Sequence, residues 1–190
     1  MRHTFVFSVL CAASLCACTF KTPATPSTGS GATAEQAILS TTPFVSQHPK
    51  LTITPPRAWK VDNSGNMGTI VVFQNAVSDV ESGSAFAANI YVIQEDTAGM
   101  TFEDYIKANR VSLKTFDEDY ASTDDHTLSV NGNQAQILEG TYKQDEFQVR
   151  GRQLIIMKGN VAYIVVATTL ASKWDKYKAA FDATLGSVEL

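Results

Sequence analysis

Residues 127–170 read TLSVNGNQAQILEGTYKQDEFQVRGRQLIIMKGNVAYIVVATTL. Asn131-Gly132 is the strongest hairpin signal in the chain, because both residues accept the positive φ angles of a type I′ turn. On either side of it, Thr127 to Val130 and Gln134 to Lys143 read as strands. EFQVRGRQLIIMKGN and VAYIVVATTL are two more, joined at Lys158-Gly159-Asn160. The run VAYIVVATTLA is about half the roughly 20 residues that a membrane-spanning helix needs, and it is rich in β-branched residues. It reads as a buried strand.

Upstream, KLTITPPRAW is a short strand stopped by Pro55 and Pro56, which lack the amide a ladder uses. GTIVVFQN is a second β-branched run. In AFAANIYVIQE, Phe86, Ala88, Ile90 and Val92 fall on one face, with Ala87, Asn89, Tyr91 and Ile93 on the other. Ser78 to Ser84 reads as a polar loop between them. The period then lengthens. MTFEDYIKANRVSLKTF sets Phe102, Ile106, Asn109 (or Arg110), Leu113 and Phe116 along one helical stripe with Tyr105 beside it. Thr101 and Asp104 stand at capping-box spacing. At the far end, SKWDKYKAAFDATLGSVEL predicts a helix capped by Ser172 with Asp175. Its stripe is Trp174, Tyr177 (or Lys178), Phe181 and Leu185, and Gly186 is its stop. The order of strands, helix, hairpin-joined strands and helix predicts an α+β domain over residues 43–190, a mostly antiparallel sheet with helices packed on it. No internal repeat is visible.

The N-terminus reads differently. Arg2 and His3 precede an apolar or small stretch from Thr4 to Ser14, and Leu15-Cys16-Ala17-Cys18 follows. This is the plan of an export signal over residues 1–17. Leu15-Cys16-Ala17-Cys18 resembles the bacterial lipobox, Leu-x-Ala/Gly-Cys. The resemblance implies that Cys18 takes a thioether-linked diacylglycerol and, once cleaved free, an N-acyl chain. Cys11 and Cys16 read as apolar filler of the signal. Several acyl chains hold a membrane firmly where one does not. The implied location is the bacterial cell envelope. In a Gram-negative cell, Thr19 rather than Asp after the cysteine resembles the outer-membrane sorting pattern, facing the periplasm. No cysteine follows Cys18, so the mature chain has no thiol for a disulfide, a nucleophile or a thiolate metal site. Residues 18–42, after the lipidated cysteine dominated by Thr, Ser, Ala, Pro and Gly, read as a flexible tether.

The layout of the domain resembles the PsbP-like (Mog1/PsbP) fold, and within it the small bacterial lipoproteins of the DcrB type. The matching features are Pro-x-x-Trp at Pro56 to Trp59, ANIYVIQE followed by the TFEDYIKANRVSLKTF helix, the VNGNQAQILEGTY hairpin, the pair across IIMKGNVAYIVVAT, and the aromatic helix before SVEL. The resemblance covers about Phe44 to Leu190. It implies an αβα sandwich, and a binding or assembly protein of the envelope with a protein partner rather than an enzyme.

The residues themselves carry little chemistry. The net charge is −4, and removal of residues 1–17 makes it about −5, 14 basic against 19 acidic side chains. That argues against nucleic acid as a partner. After the signal only His48 and His126 are histidines, and no Gly-x-Ser-x-Gly elbow, phosphate loop or dinucleotide fingerprint is present, so no catalytic set and no cofactor is expected. The one concentration of oxygen ligands is FDEDYASTDDH. There Asp124, Asp125 and His126 are weak candidates for calcium or manganese, but the EF-hand spacing is missing, and the run reads first as a solvated connection. Trp59, Trp174, Tyr177 and Phe181 stand as core aromatics that could also line a ligand groove. A small-ligand or divalent-ion binding lipoprotein is the alternative to partner binding.

Overall fold

The computed structural model describes residues 38–117 and 119–190. Seven strands form an antiparallel sheet in the order β3-β4-β7-β11-β10-β9-β8. They are β3 (Lys60–Asp62), β4 (Val71–Gln74), β7 (Asn89–Asp96), β8 (Ala121–Val130), β9 (Asn133–Gln144), β10 (Phe147–Lys158) and β11 (Val161–Leu170). Two short hairpins stand apart from it: β1 (Phe44–Gln47) with β2 (Lys50–Ile53), and β5 (Asp79–Glu81) with β6 (Ser84–Phe86). Helix α1 (Phe102–Phe116) joins β7 to the far edge strand β8. Helix α2 (Trp174–Gly186) follows β11 through a 3-10 turn at Ala171–Lys173.

The β8-to-β11 meander follows the sequence pattern closely. Asn131 and Gly132 take φ of 50° and 77°, the pair of positive angles the turn requires. Gly159, with φ 61°, turns β10 into β11. Alternation then sorts side chains between two cores. Ile90, Val92, Ile137, Leu154, Ile156, Val165 and Ala167 face α2, whose Trp174, Tyr177, Phe181 and Leu185 cover them together with Leu51 and Ile53 of β2. Leu138, Ile155, Ile164 and Val166 point the other way, under Phe102, Tyr105 and Ile106 of α1. The domain is thus the expected αβα arrangement, one helix on each face of the sheet.

Several expectations are corrected. Ser78 to Ser84 is not a plain loop, since Asp79–Glu81 pairs with Ser84–Phe86. Phe86 leaves the main core for a small cluster with Val149 and Leu170. Thr101 caps α1 as expected, its hydroxyl accepting from the Asp104 amide at 3.2 Å and donating to the Asp104 carboxylate at 2.9 Å. Phe116, however, is 42% exposed, although its ring stands edge-on to Tyr142 with 6.4 Å between centroids. Ser172 does not cap α2. It lies in the 3-10 turn and donates to Glu81 at 2.7 Å, while Lys173 holds the cap position without a side-chain bond. The acidic run after α1 is only briefly a connection, because β8 begins at Ala121 and takes in Asp124, Asp125 and His126. Residues 38–42, expected in the tether, are tied to the domain: Leu39 bridges Pro56, the Ser40 amide donates to the Pro55 carbonyl and the Arg57 amide to the Ile38 carbonyl, both at 2.9 Å. The signal and Cys18 lie outside the described residues.

Phe181 is fully buried among Trp59, Trp174 and Tyr177, with ring centroids 5.6 to 6.2 Å away. Phe181→Ala removes the centre of that cluster and is expected to cost about 3–5 kcal/mol. Urea unfolding followed by tryptophan fluorescence measures it, and a loss under 1 kcal/mol is incompatible with this packing.

Candidate functional site

An apolar concavity lies where residues 38–44 meet the Pro-Pro-x-x-Trp segment. It has a volume of about 260 Å³ and is walled by Pro43, Phe44, Pro55, Pro56, Trp59 and Val61, with Ser40 and Thr42 at its rim. Local chemistry builds it. Pro55 and Pro56 end β2 and present two rings. Ala58 turns the chain with φ 64°, a left-handed angle that a residue with a Cβ adopts only when its surroundings hold it there. That turn seats Trp59 edge-on against Tyr177 and Phe181, at 6.1 and 6.2 Å. Phe44 is fixed the same way against Phe73, at 6.2 Å. The walls are therefore pinned by the core. No carboxylate, histidine or amine lines the groove. Its chemistry is the reception of an apolar group, with two hydroxyls at the edge, and its volume is at the small end for ligand pockets.

The charged side chains are engaged elsewhere. Glu139 is only 1% exposed. It accepts from Arg150, from Arg152 at 2.5 Å and from Thr123 at 3.0 Å. Arg152 also bonds Asp182, which in turn takes the Lys178 ammonium. Both guanidiniums lie over the Trp174 ring, at 4.5 and 5.5 Å. This cluster locks β9 and β10 to α2. A second set latches the β5–β6 hairpin onto α2: Asp79 accepts from Lys176 at 2.6 Å and from Tyr177 at 2.5 Å, and Asn75 donates to the Tyr177 oxygen at 2.8 Å. Burial alone would push the Asp79 carboxyl up. The Lys176 ammonium and the Tyr177 hydroxyl outweigh it and hold the group below the usual carboxylate range.

The predicted metal candidates are adjacent in sequence and divided in space. Asp124 and His126 share one face of β8 and bond each other at 2.8 Å. Asp125 points to the α1 side, where Arg110 grips it with two bonds of 2.7 Å and Gln136 adds a third. Those bonds, that of Arg110 foremost, hold its carboxyl low. Asp119 pairs with Lys143 at 3.2 Å, and Asp117 accepts from the Lys143 amide. Among the described residues, no three potential ligands converge on a point. Of the four aromatics singled out in the sequence, Trp174, Tyr177 and Phe181 are core, and only Trp59 reaches the groove. Sequence reasoning missed Ser40 and Thr42 by assigning them to the tether, and gave Pro43, the first residue of the expected domain, no role.

The sequence profile of the DcrB family matches residues 52–187. The chain belongs to the DcrB family. Within this DcrB chain the match runs from β2 to the end of α2, so it includes Pro55, Pro56 and Trp59 and leaves residues 38–51 outside. No curated protein matches the chain. Among solved structures, the cyanobacterial PsbP protein CyanoP of Synechocystis is similar over 85% of this chain and 98% of its own, with TM-score 0.60 and 16% identity. LpqN of Mycobacterium tuberculosis, described as involved in cell envelope biogenesis, is similar over 84% and 98%, with TM-score 0.56 and 14% identity. A protein of unknown function from Pseudomonas aeruginosa is similar over 77% and 94%, with TM-score 0.55 and 15% identity. At these identities the likeness is one of fold, and the DcrB domain is PsbP-like in that sense.

Two outcomes follow from the charged clusters. Glu139→Gln leaves two guanidiniums facing a neutral amide in a buried site and is expected to cost about 3–5 kcal/mol in chemical denaturation. For Asp79, the folded pKa lies below the ordinary 3.8, so its contribution is present above that value and is lost as pH falls through the folded pKa. Thermal unfolding of Asp79→Asn is therefore expected to be less stable than wild type near neutral pH, with the difference shrinking below pH 3.8. An unchanged difference at low pH would count against the latch.

Proposed function

We propose that this protein is a lipid-anchored envelope domain that works by binding a protein partner and catalyses no reaction. The observation that carries the reading is the division of labour on the surface. Glu139, Asp182, Asp79 and Asp125, with Arg150, Arg152, Lys176, Lys178 and Arg110, are committed to ion pairs within the fold, while the Trp59 groove is open, apolar and walled by residues packed on the core. Such a groove receives an aliphatic or aromatic side chain from an extended segment, and rigid walls lower the ordering cost of binding. The envelope setting is supported by the lipobox-like Leu15 to Cys18, by membership of the DcrB family, and by the fold shared with LpqN, a protein of envelope biogenesis. Cys18, carrying diacylglycerol and an N-acyl chain, is the anchor in this reading. The facing of the outer membrane toward the periplasm follows from Thr19 if the cell is Gram-negative.

The test has two arms. Mass spectrometry of the native protein is expected to find residue 18 as an acylated N-terminus, and Cys18→Ser to leave the membrane fraction. A photo-crosslinking amino acid at Val61, on the groove wall, is expected to capture one stoichiometric envelope protein in cells, and Trp59→Ala to reduce that capture at least tenfold. Capture that is undiminished by Trp59→Ala removes the groove from the reading.

A further inference from the structure

Charge is unevenly divided along this chain. Residues 38–61 carry Lys50, Arg57 and Lys60 and no Asp or Glu, whereas residues 62–190 carry ten Lys and Arg against eighteen Asp and Glu. The fold keeps the two populations apart. Residues 38–61 make the groove wall and the start of edge strand β3, together with the β1–β2 hairpin, whose Phe44 packs on Phe73 of the neighbouring strand β4. Strand β8, at the opposite edge, carries Asp124 and Asp125, with Asp117 and Asp119 just before it. The domain is thus polarised across the sheet, cationic at the β3 side and acidic at the β8 side.

The cations of that side are also unspent. Lys50, Arg57 and Lys60 are exposed, and among the described residues none of them makes an ion pair. Six of the ten cations in residues 62–190, namely Arg110, Lys143, Arg150, Arg152, Lys176 and Lys178, do, while Lys107, Lys114, Lys158 and Lys173 do not. Exposed aliphatics are interleaved with the free cations. Ile38 is 48% exposed beside Arg57, Val61 is 50% exposed beside Lys60, and Val45 is 53% exposed on the outer side of the hairpin that carries Lys50. Lys60 and Val61 point to opposite sides of an edge strand, so a flat surface laid along that edge meets both. Two carboxylate-bearing residues adjoin it through the backbone: Glu189 bridges Thr52, and Asp62 ends β3, its carboxylate accepting from the Ser64 amide at 2.9 Å.

We propose that this side of the domain, centred on Ile38, Arg57, Lys60 and Val61, docks on an anionic lipid surface. Free cations mixed with half-exposed aliphatics suit a headgroup layer, where ammonium and guanidinium groups meet phosphates and the aliphatic tips enter the acyl boundary. The acidic β8 side is repelled by the same surface, so the field orients the domain before contact. The chain also reaches the domain at this side. An acyl anchor at Cys18, twenty positions before Ile38, draws it toward the bilayer; that point alone rests on the anchor reading, and the charge and exposure do not.

The experiment uses the chain from residue 18 with Cys18→Ser, so that no acyl chain contributes. It is sedimented with vesicles of phosphatidylcholine alone or with about 30% phosphatidylglycerol, at about 50 and about 300 mM salt. Binding to the anionic vesicles is expected, weakening as salt rises. Lys50→Glu, Arg57→Glu and Lys60→Glu together are expected to weaken it at least about tenfold. Ile38→Ser with Val61→Ser is expected to weaken it severalfold, and Lys107→Glu with Lys114→Glu on α1 to leave it unchanged. These residues are exposed, and circular dichroism with a melting curve confirms that each variant is folded. Absence of binding to the anionic vesicles, or equal binding by the triple variant, overturns the proposal. So does retention by a poly-glutamate peptide but not by vesicles, which assigns this side to an acidic protein segment. Because Cys18 is replaced throughout, a failure here leaves acylation of Cys18 standing, and an unmodified Cys18 in the native protein leaves the docking side standing.

Discussion

Strand β11 sets the terms for the rest of the molecule. Val161 to Leu170 lies between β7 and β10 with buried residues at every position but the first. A strand apolar on both faces needs a cover on each, or its side chains meet water at about 25 cal/mol for each Å². Helix α2 supplies one cover and α1 the other. The connection from β7 to β8 must then run across β11, β10 and β9, and that long path is what α1 provides. The hairpin β1–β2 completes the α2 side, where one helix of four turns is too narrow to roof the sheet alone.

Most of this framework was legible because its signals are local. Asn131-Gly132, the alternation in ANIYVIQE and the stripe from Phe102 to Ile106 each depend on a few neighbouring residues, and each took the form expected of it. The failures share a different cause. Ser172 looked like a cap because Asp175 follows at the right spacing, yet its hydroxyl turns to Glu81, which lies 91 positions away in the chain. The polar run from Ser78 to Ser84 folds back as a hairpin because Asp79 is held by Lys176 and Tyr177 of α2. The acidic run became a strand because β9 offers it a partner and Arg110 reaches over from α1 to neutralise Asp125. Such partners are invisible to a reading by windows. The groove was half legible: Pro55, Pro56 and Trp59 stand out in the sequence, but its other wall is made by residues 40–44, whose composition matches the stretch before them.

Two glycines within the strands of the meander show how closely the α1 face is filled. Gly140 and Gly151 are directly paired across β9 and β10. The Tyr120 ring lies over the first and the Tyr142 ring over the second, so that a Cβ on Gly140 would stand 2.5 Å from the Tyr120 ring. Burial there pushes the Tyr120 hydroxyl up to about 12. Flat rings on bare backbone close the sheet there, and Phe116 of the last turn of α1 stands edge-on to the Tyr142 ring. The surface is therefore finished by different means at each place, with a helix over Leu138 and Ile155, tyrosines over glycine, and the hairpin beside α2.

The bridge between Thr52 and Glu189 has a temporal consequence. Each donates its amide to the other's carbonyl, at 2.8 and 2.9 Å, so the hairpin beside the groove is stitched to the last turn of chain after α2. A polypeptide made from its N-terminus exposes residues 44–61 long before their partner exists. The meander, whose contacts are local, can assemble first. The groove wall stays unsecured until nearly the whole chain is present, and a chain cut short before α2 leaves those prolines and Trp59 without their floor.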